Sequence, residues 1–174
     1  MSGVSLSILV ETSMNRKSFI HALSALALLG LGACASGPAP APLATTLQRD
    51  PQLSTFNRLV AQAGLSQELN SANPLTVFAP SDDAFKAVPT KTLEALAADP
   101  AQLKAVLNYH LVAARLASAD VGNNNVKTLQ GASVALARAG SFVTVEDAMV
   151  QRADIQATNG VAHVIDRVLM PPKK

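Results

Sequence analysis

The pattern of apolar and polar positions is plainest near the end of the chain. After Asn159-Gly160 come Val161-Ala162-His163-Val164-Ile165-Asp166-Arg167-Val168-Leu169-Met170-Pro171. Asn-Gly is a strong signal for a tight turn needing φ > 0; a β-branched run follows and prolines stop it. In a strand, Val161, His163, Ile165 and Arg167 share one face, and Ala162, Val164, Asp166 and Val168 the other. Both faces are mostly apolar, which predicts a central strand covered on both sides. Its expected partner is the early apolar strand Leu75-Thr76-Val77-Phe78.

Upstream the spacing is helical. Phe56, Leu59, Val60 and Ala63 make an apolar stripe, with Ser54 or Thr55 as cap and Gly64 as stop. A short helix at 66–69 buries Leu65 and Leu69 and breaks at Asn73-Pro74. The strand at 75–79 is ended by Pro80. Ser81 then caps a helix with Asp82 and Asp83 in its first turn, where carboxylates complement the dipole. Thr90 opens a helix holding Leu93, Leu96 and Ala97. Asp99-Pro100-Ala101-Gln102 restarts the chain with an N-cap, a proline at the first helical position and Gln three after the cap. Leu103, Val106, Leu107 and His110 fall on one face of that helix.

Beyond Leu111-Val112 the pattern changes. Residues 122–125 read as a loop, 126–129 as a short strand, and 133–137 with 142–145 as a hairpin across Ala139-Gly140-Ser141. Met149-Val150 and Asp154-Ile155 read as short extended pieces before the last turn. Helices precede strands, so the fold class is α+β, one domain with a largely antiparallel sheet.

Composition narrows the function. Hydrophobic residues make up 49% of the chain and aromatics 3%, so the core is built from Ala, Val, Leu and Ile. A net charge of +2 leaves no nucleic-acid footprint. The single Cys excludes an intrachain disulfide and a thiolate zinc cluster. No nucleophile elbow, zincin helix, Walker loop or dinucleotide fingerprint occurs. His110 and His163 lie far apart in sequence, and no further metal ligands accompany them. His163 and Asp166 are three apart on a strand, so they face opposite sides and form no dyad. No catalytic residue, metal or cofactor is assigned, and the chain reads as non-enzymatic.

The N-terminus reads as an export signal. Arg16-Lys17 form a basic pair, and residues 20–31 an apolar run of signal-peptide length, too short to cross a membrane. Met14, just before the basic pair, is favoured as the true start; a longer basic region from Met1 is the alternative. Leu31-Gly32-Ala33-Cys34 resembles the bacterial lipobox, whose Cys is acylated and becomes the mature N-terminus. Acyl chains on Cys34 would anchor the protein, since each buried CH₂ contributes roughly 0.8 kcal/mol. An ordinary cleaved signal with an incidental Cys is the blander reading. Ala35 after the Cys, by resemblance to Gram-negative sorting, points to the outer membrane. The expected organisation is a signal peptide at 1–33, a lipidated Cys with a Pro/Ala-rich spacer at 34–46, and a domain at 47–174.

Two blocks carry a family pattern. Thr76-Val77-Phe78-Ala79-Pro80-Ser81-Asp82-Asp83-Ala84-Phe85 resembles the first signature of fasciclin (FAS1) domains. Asp154-Ile155-Gln156-Ala157-Thr158 with the following Asn159-Gly160 strand resembles the second, and Leu107-Asn108-Tyr109-His110-Leu111-Val112 resembles the Tyr-His segment between them. The resemblance implies a β-wedge or sandwich core with flanking helices, and surface roles in adhesion or in protein or polysaccharide contact. It also marks Tyr109, His110, Asp154 and Ile155 as interaction residues. The residues themselves favour packing instead: His110 at the helix end beside Leu107, hydrogen-bonded to the sheet, and Ile155 in the core. Two functions follow. One is a membrane-anchored binding or adhesion module for a surface protein or glycan. The other is a periplasmic structural or assembly factor for a neighbouring envelope protein.

Overall fold

The computed structural model describes residues 39–172. The export segment, Met14 and Cys34 lie outside the described residues.

The two apolar strands seen in the sequence form the centre of the fold. β1 (Leu75–Pro80) and β7 (Gly160–Ile165) pair with Val77 opposite Ala162 and Phe78 opposite His163, and all twelve residues are buried. The pairing is parallel, inside a sheet otherwise antiparallel. Between them come β2 (Leu111–Val112), β3 (Asn124–Lys127), β4 (Ser133–Ala139), β5 (Phe142–Val145) and β6 (Ala148–Ala157). The seven strands run in the order β2-β1-β7-β6-β5-β4-β3. A bridge between Val112 and Thr128, with Leu129 N–H donating to Leu111 O at 2.8 Å, draws the two ends of the sheet together. The result is an α+β wedge with flanking helices, the fold class the sequence predicts.

Strand alternation sorts the buried side chains into two cores. Leu75, Val77, Ala79, Ala162 and Val164 face the helices and meet Leu43, Leu47, Phe56, Leu103 and Leu107. Phe78 and Ile165 face into the wedge and meet Val134, Leu136, Val143, Val145 and Tyr109. The helices are α1 (Leu43–Gln48), α2 (Ser54–Gln62), α3 (Ser66–Leu69), α4 (Asp82–Lys86), α5 (Thr90–Ala98) and α6 (Pro100–Tyr109). Ser81 caps α4 through Ala84 N–H, and Asp99 caps α6 through Ala101 and Gln102 N–H, as read from the sequence.

Several expectations are corrected. Part of the supposed spacer belongs to the domain: α1 buries Leu43, Ala44 and Leu47, and Thr158 N–H donates to Ala41 O at 3.0 Å. Apolar side chains with a partner to cover them fold, even in a Pro/Ala-rich stretch. Neither Ser54 nor Thr55 caps α2; Asp82, from the start of α4, accepts from Ser54 Oγ at 2.7 Å and Thr55 N–H at 2.8 Å. The two extended pieces before the last turn are one ten-residue strand, β6, broken by two register shifts. The final strand stops at Ile165, where Asp166 turns to accept from Met149 N–H at 2.7 Å.

Asn159 does more than close a local turn. Its Oδ1 accepts from Leu43 N–H at 2.9 Å, and its Nδ2 donates to Leu69 O at 2.9 Å and Ser71 O at 2.7 Å. One side chain thus ties α1, the end of α3 and the β6–β7 turn together. Gly160 is required by close approach rather than by positive φ: a Cβ there would lie 2.0 Å from Leu75 O and 2.7 Å from Leu43 Cδ1.

Candidate functional site

The Tyr-His pair ends α6 and is buried. His110 caps the helix; its Nδ1–H donates to Val106 O at 2.8 Å and its Nε2 accepts from Leu169 N–H at 3.0 Å. Its backbone carbonyl accepts from Phe78 N–H at 3.0 Å, which joins α6 to β1. Burial pushes its pKa down to about 4, so the ring is neutral. Both ring nitrogens are occupied by backbone, and none is left for a partner or substrate. Tyr109 faces the other core. Its hydroxyl donates to Ser133 O at 3.2 Å and lies 3.4 Å from Glu146 Oε1. Burial, then the Glu146 charge, raises its pKa.

Asp154 and Ile155 sit in the irregular part of β6. Asp154 has φ 59°, a left-handed conformation that non-glycine residues rarely adopt. It is half-buried, and its carboxylate accepts from Ser118 N–H at 2.8 Å and from Ser118 Oγ. Its own N–H donates to His163 Nδ1 at 3.3 Å, and His163 Nε2–H donates to Leu116 O at 2.8 Å. The His163 ring stacks on Phe78 with centroids 5.6 Å apart. Burial lowers the His163 pKa, against the opposing pull of the Leu116 bond and the Asp154 charge. Burial alone would raise that of Asp154, but the Ser118 bonds, His163 and Arg138 outweigh it and hold the carboxyl below its ordinary range. Ile155 is half-buried and packs on the helix-side core.

Ser118, Asp154 and His163 thus gather in one place, which the sequence reading missed. They do not form a nucleophilic triad. Ser118 Oγ bonds the carboxylate rather than the imidazole, and the His163 proton is committed to a backbone carbonyl. The cluster is a clamp. It fixes the loop at 113–123 to β6 and β7, with Arg138 Nη1 adding bonds to Ser118 O at 3.1 Å and Ala119 O at 2.9 Å. A β-bulge changes side-chain parity, so no period-two reading could have brought Asp154 and His163 together.

The surface left open lies on the outside of β4, β5 and β6. Ala135, Ala137 and Ala139 alternate with inward-facing Val134 and Leu136. Phe142 is 63% exposed and Met149 45%, and the pairing of Thr144 with Met149 sets them diagonally adjacent on one face. The strand pairs Ala137–Thr144 and Ala139–Phe142 put small side chains beside the phenyl ring. The face carries one large aromatic among small side chains. The Ser-Val-Ala-Leu-Ala alternation was the available signal, but only strand order shows that no described residue covers the outer set.

A model of the fasciclin domain matches residues 51–171. The chain belongs to the fasciclin domain family. Among curated fasciclin-family relatives, it is 40% identical to Protein sll1483 of Synechocystis over 68% of each chain. It is 34% identical to Immunogenic protein MPB70 of Mycobacterium bovis, over 80% of this chain and 74% of that one. It is 38% identical to pig transforming growth factor-beta-induced protein ig-h3 over 72% of this chain but 19% of the relative. The fold matches a FAS1 domain pair from the insect cell adhesion molecule Fasciclin I, with a TM-score of 0.64 and 20% identity. That match covers 75% of this chain and 51% of the pair.

Proposed function

We propose that this fasciclin-family protein is a non-enzymatic binding module of the adhesion type. It is exported, held at the outer membrane by acyl chains on Cys34, and meets a surface protein or glycan. The observation that carries this reading is the exposed Phe142–Met149 face, set on strands whose opposite face buries Val134, Leu136, Val143 and Val145. Large exposed apolar groups set side by side favour contact with a partner. The adhesion role named for Fasciclin I supports the same reading by family analogy. The polar side chains that might have done chemistry are engaged in internal bonds. Of the four residues expected to interact, Asp154 and Ile155 retain some exposed surface, while Tyr109 and His110 act by fixing the end of α6.

The test is a double variant, Phe142→Asp with Met149→Asp. It should abolish retention on a glycan array or in a cell-adhesion assay while leaving Tm nearly unchanged. Unaltered adhesion would remove the face from consideration. Cys34→Ser should release the protein from washed membranes; persistence there would argue against the lipid anchor. Crosslinking that recovers one stoichiometric periplasmic partner would favour the assembly-factor reading instead.

A further inference from the structure

The helix side holds a groove that none of these roles uses. It lies between α2 and α5 and has a volume of about 420 Å³, within the size range of small-ligand pockets. Phe56 and Leu59 of α2, Phe85 of α4, Leu103 and Leu107 of α6, and Leu93 of α5 form its walls. The polar groups nearest its floor are already engaged. His110 on its floor has both nitrogens bonded to backbone, and Gln62 Nε2 donates across the groove to Ala97 O at 3.2 Å. A molecule lying against these walls therefore meets mainly apolar side chains, which selects an aliphatic body.

The mouth has a different character. Arg58 on α2 and Glu94 on α5 line it from opposite sides, and both are exposed. Among the described residues neither forms an ion pair, with the other or with anything else. A head carrying one charge would be attracted by one rim and repelled by the other. A head carrying both charges satisfies the two rims together.

The roof is loosely held. α5 runs between Pro89 and Pro100, and Leu96 is its buried residue. A second cavity of about 460 Å³ undercuts the opposite side of the same helix, sharing Leu96 and Val106 with the first. α5 thus stands on Leu96 as on a keel, with half-buried Leu93 and the Gln62 bond on the groove side.

We propose that this groove binds a single-chain amphiphile with a zwitterionic head. The aliphatic chain lies beneath α5 and the head sits between Arg58 and Glu94.

The experiment uses the full-length chain carrying Cys34→Ser, so that no attached acyl chain competes. Dodecylphosphocholine, kept below its critical micelle concentration, is titrated by calorimetry, with dodecanoate and dodecyltrimethylammonium as single-charge controls. The expected result is saturable one-to-one binding, tightest for the zwitterion. Arg58→Gln and Glu94→Gln should each weaken it by about two- to fivefold, the scale of an exposed charge contact. Leu93→Trp, which fills the groove, should abolish binding; Leu59→Trp does the same from the opposite wall should the first variant melt early. Absence of saturable binding, equal affinity for all three heads, or full binding by a folded tryptophan variant would each overturn the proposal.

Discussion

The two sides of the β1–β7 pair are held together by different means. On the helix side, leucines and phenylalanines from six helices interlock against Val77, Ala162 and Val164. On the wedge side, the irregular segment at 113–123 has no ladder of its own, and polar side chains hold its backbone. Thr76 Oγ1 donates to Ala114 O at 2.6 Å and accepts from Leu116 N–H at 2.9 Å. His163, Asp154 and Arg138 continue the series along the loop. Apolar packing suffices where helices satisfy their own backbone. A buried or half-buried loop needs a named partner for each amide and carbonyl. The first kind of contact can be parted and refilled, and a groove lies there; the second fixes one geometry.

The largest expected effect falls on the wall that both sides share. Val164→Asp places a charge in a fully buried strand, at a cost of several kcal/mol against a typical total stability of about 5–15 kcal/mol. Loss of cooperative thermal unfolding is the expected outcome, and a soluble, cooperatively melting variant would break the comparison. Gly160→Ala strikes the joint between β7, β1 and α1. Its methyl meets a backbone carbonyl rather than a yielding side chain, so a loss of about 3 kcal/mol by denaturant unfolding is expected.

Acid tests the helix side next. The folded pKa of His110, about 4, lies below that of an unfolded histidine, so between the two values the unfolded state binds more protons. Its contribution is complete above about pH 6.5 and is lost as pH falls toward 4, up to about 3 kcal/mol. His163 is shifted in the same direction. Tm should fall across this window, and more steeply than in His110→Asn; a flat profile would show that the histidine is not kept neutral by burial.

The wedge side should yield less per residue. Asp154→Ala loses both Ser118 bonds and keeps an unfavourable φ, for about 2 kcal/mol. Asp154→Gly loses the same bonds but tolerates the backbone, so it should be the milder variant; the reverse order would remove strain from the account. Smallest is Asp82→Ala, which uncaps α2 for about 1 kcal/mol, read as a drop in denaturation midpoint.

What the sequence disclosed was local or strictly periodic. The pairing of the strands that open at Leu75 and after Asn159-Gly160, the Ser81 and Asp99 caps and the β4–β5 hairpin each rest on a few adjacent residues. What stayed hidden depends on distant contacts. Asp82 caps a helix 27 positions away, and Asn159 reaches Leu43 across 116. α1 looked like linker because its burial comes from α2, α3, β6 and β7 around it, not from its own pattern. The bulges in β6 defeated alternation, and with it the Asp154–His163 contact. For the candidate site, the sequence offered the four residues of the family pattern, while the open Phe142 face emerged only from strand order.

The position of β7 has a consequence for how the chain reaches its fold. This interior strand, third in the sheet order, is the last of the seven to be synthesised, and both of its neighbours wait for it. Until Gly160–Ile165 arrives, β1 lacks its main partner and the two cores share no wall. Folding therefore begins late and turns on contacts of long sequence separation, which slows it. A chain cut just before Asn159 would lack the keystone rather than a tail. It should persist as a loose, protease-sensitive collection of helices.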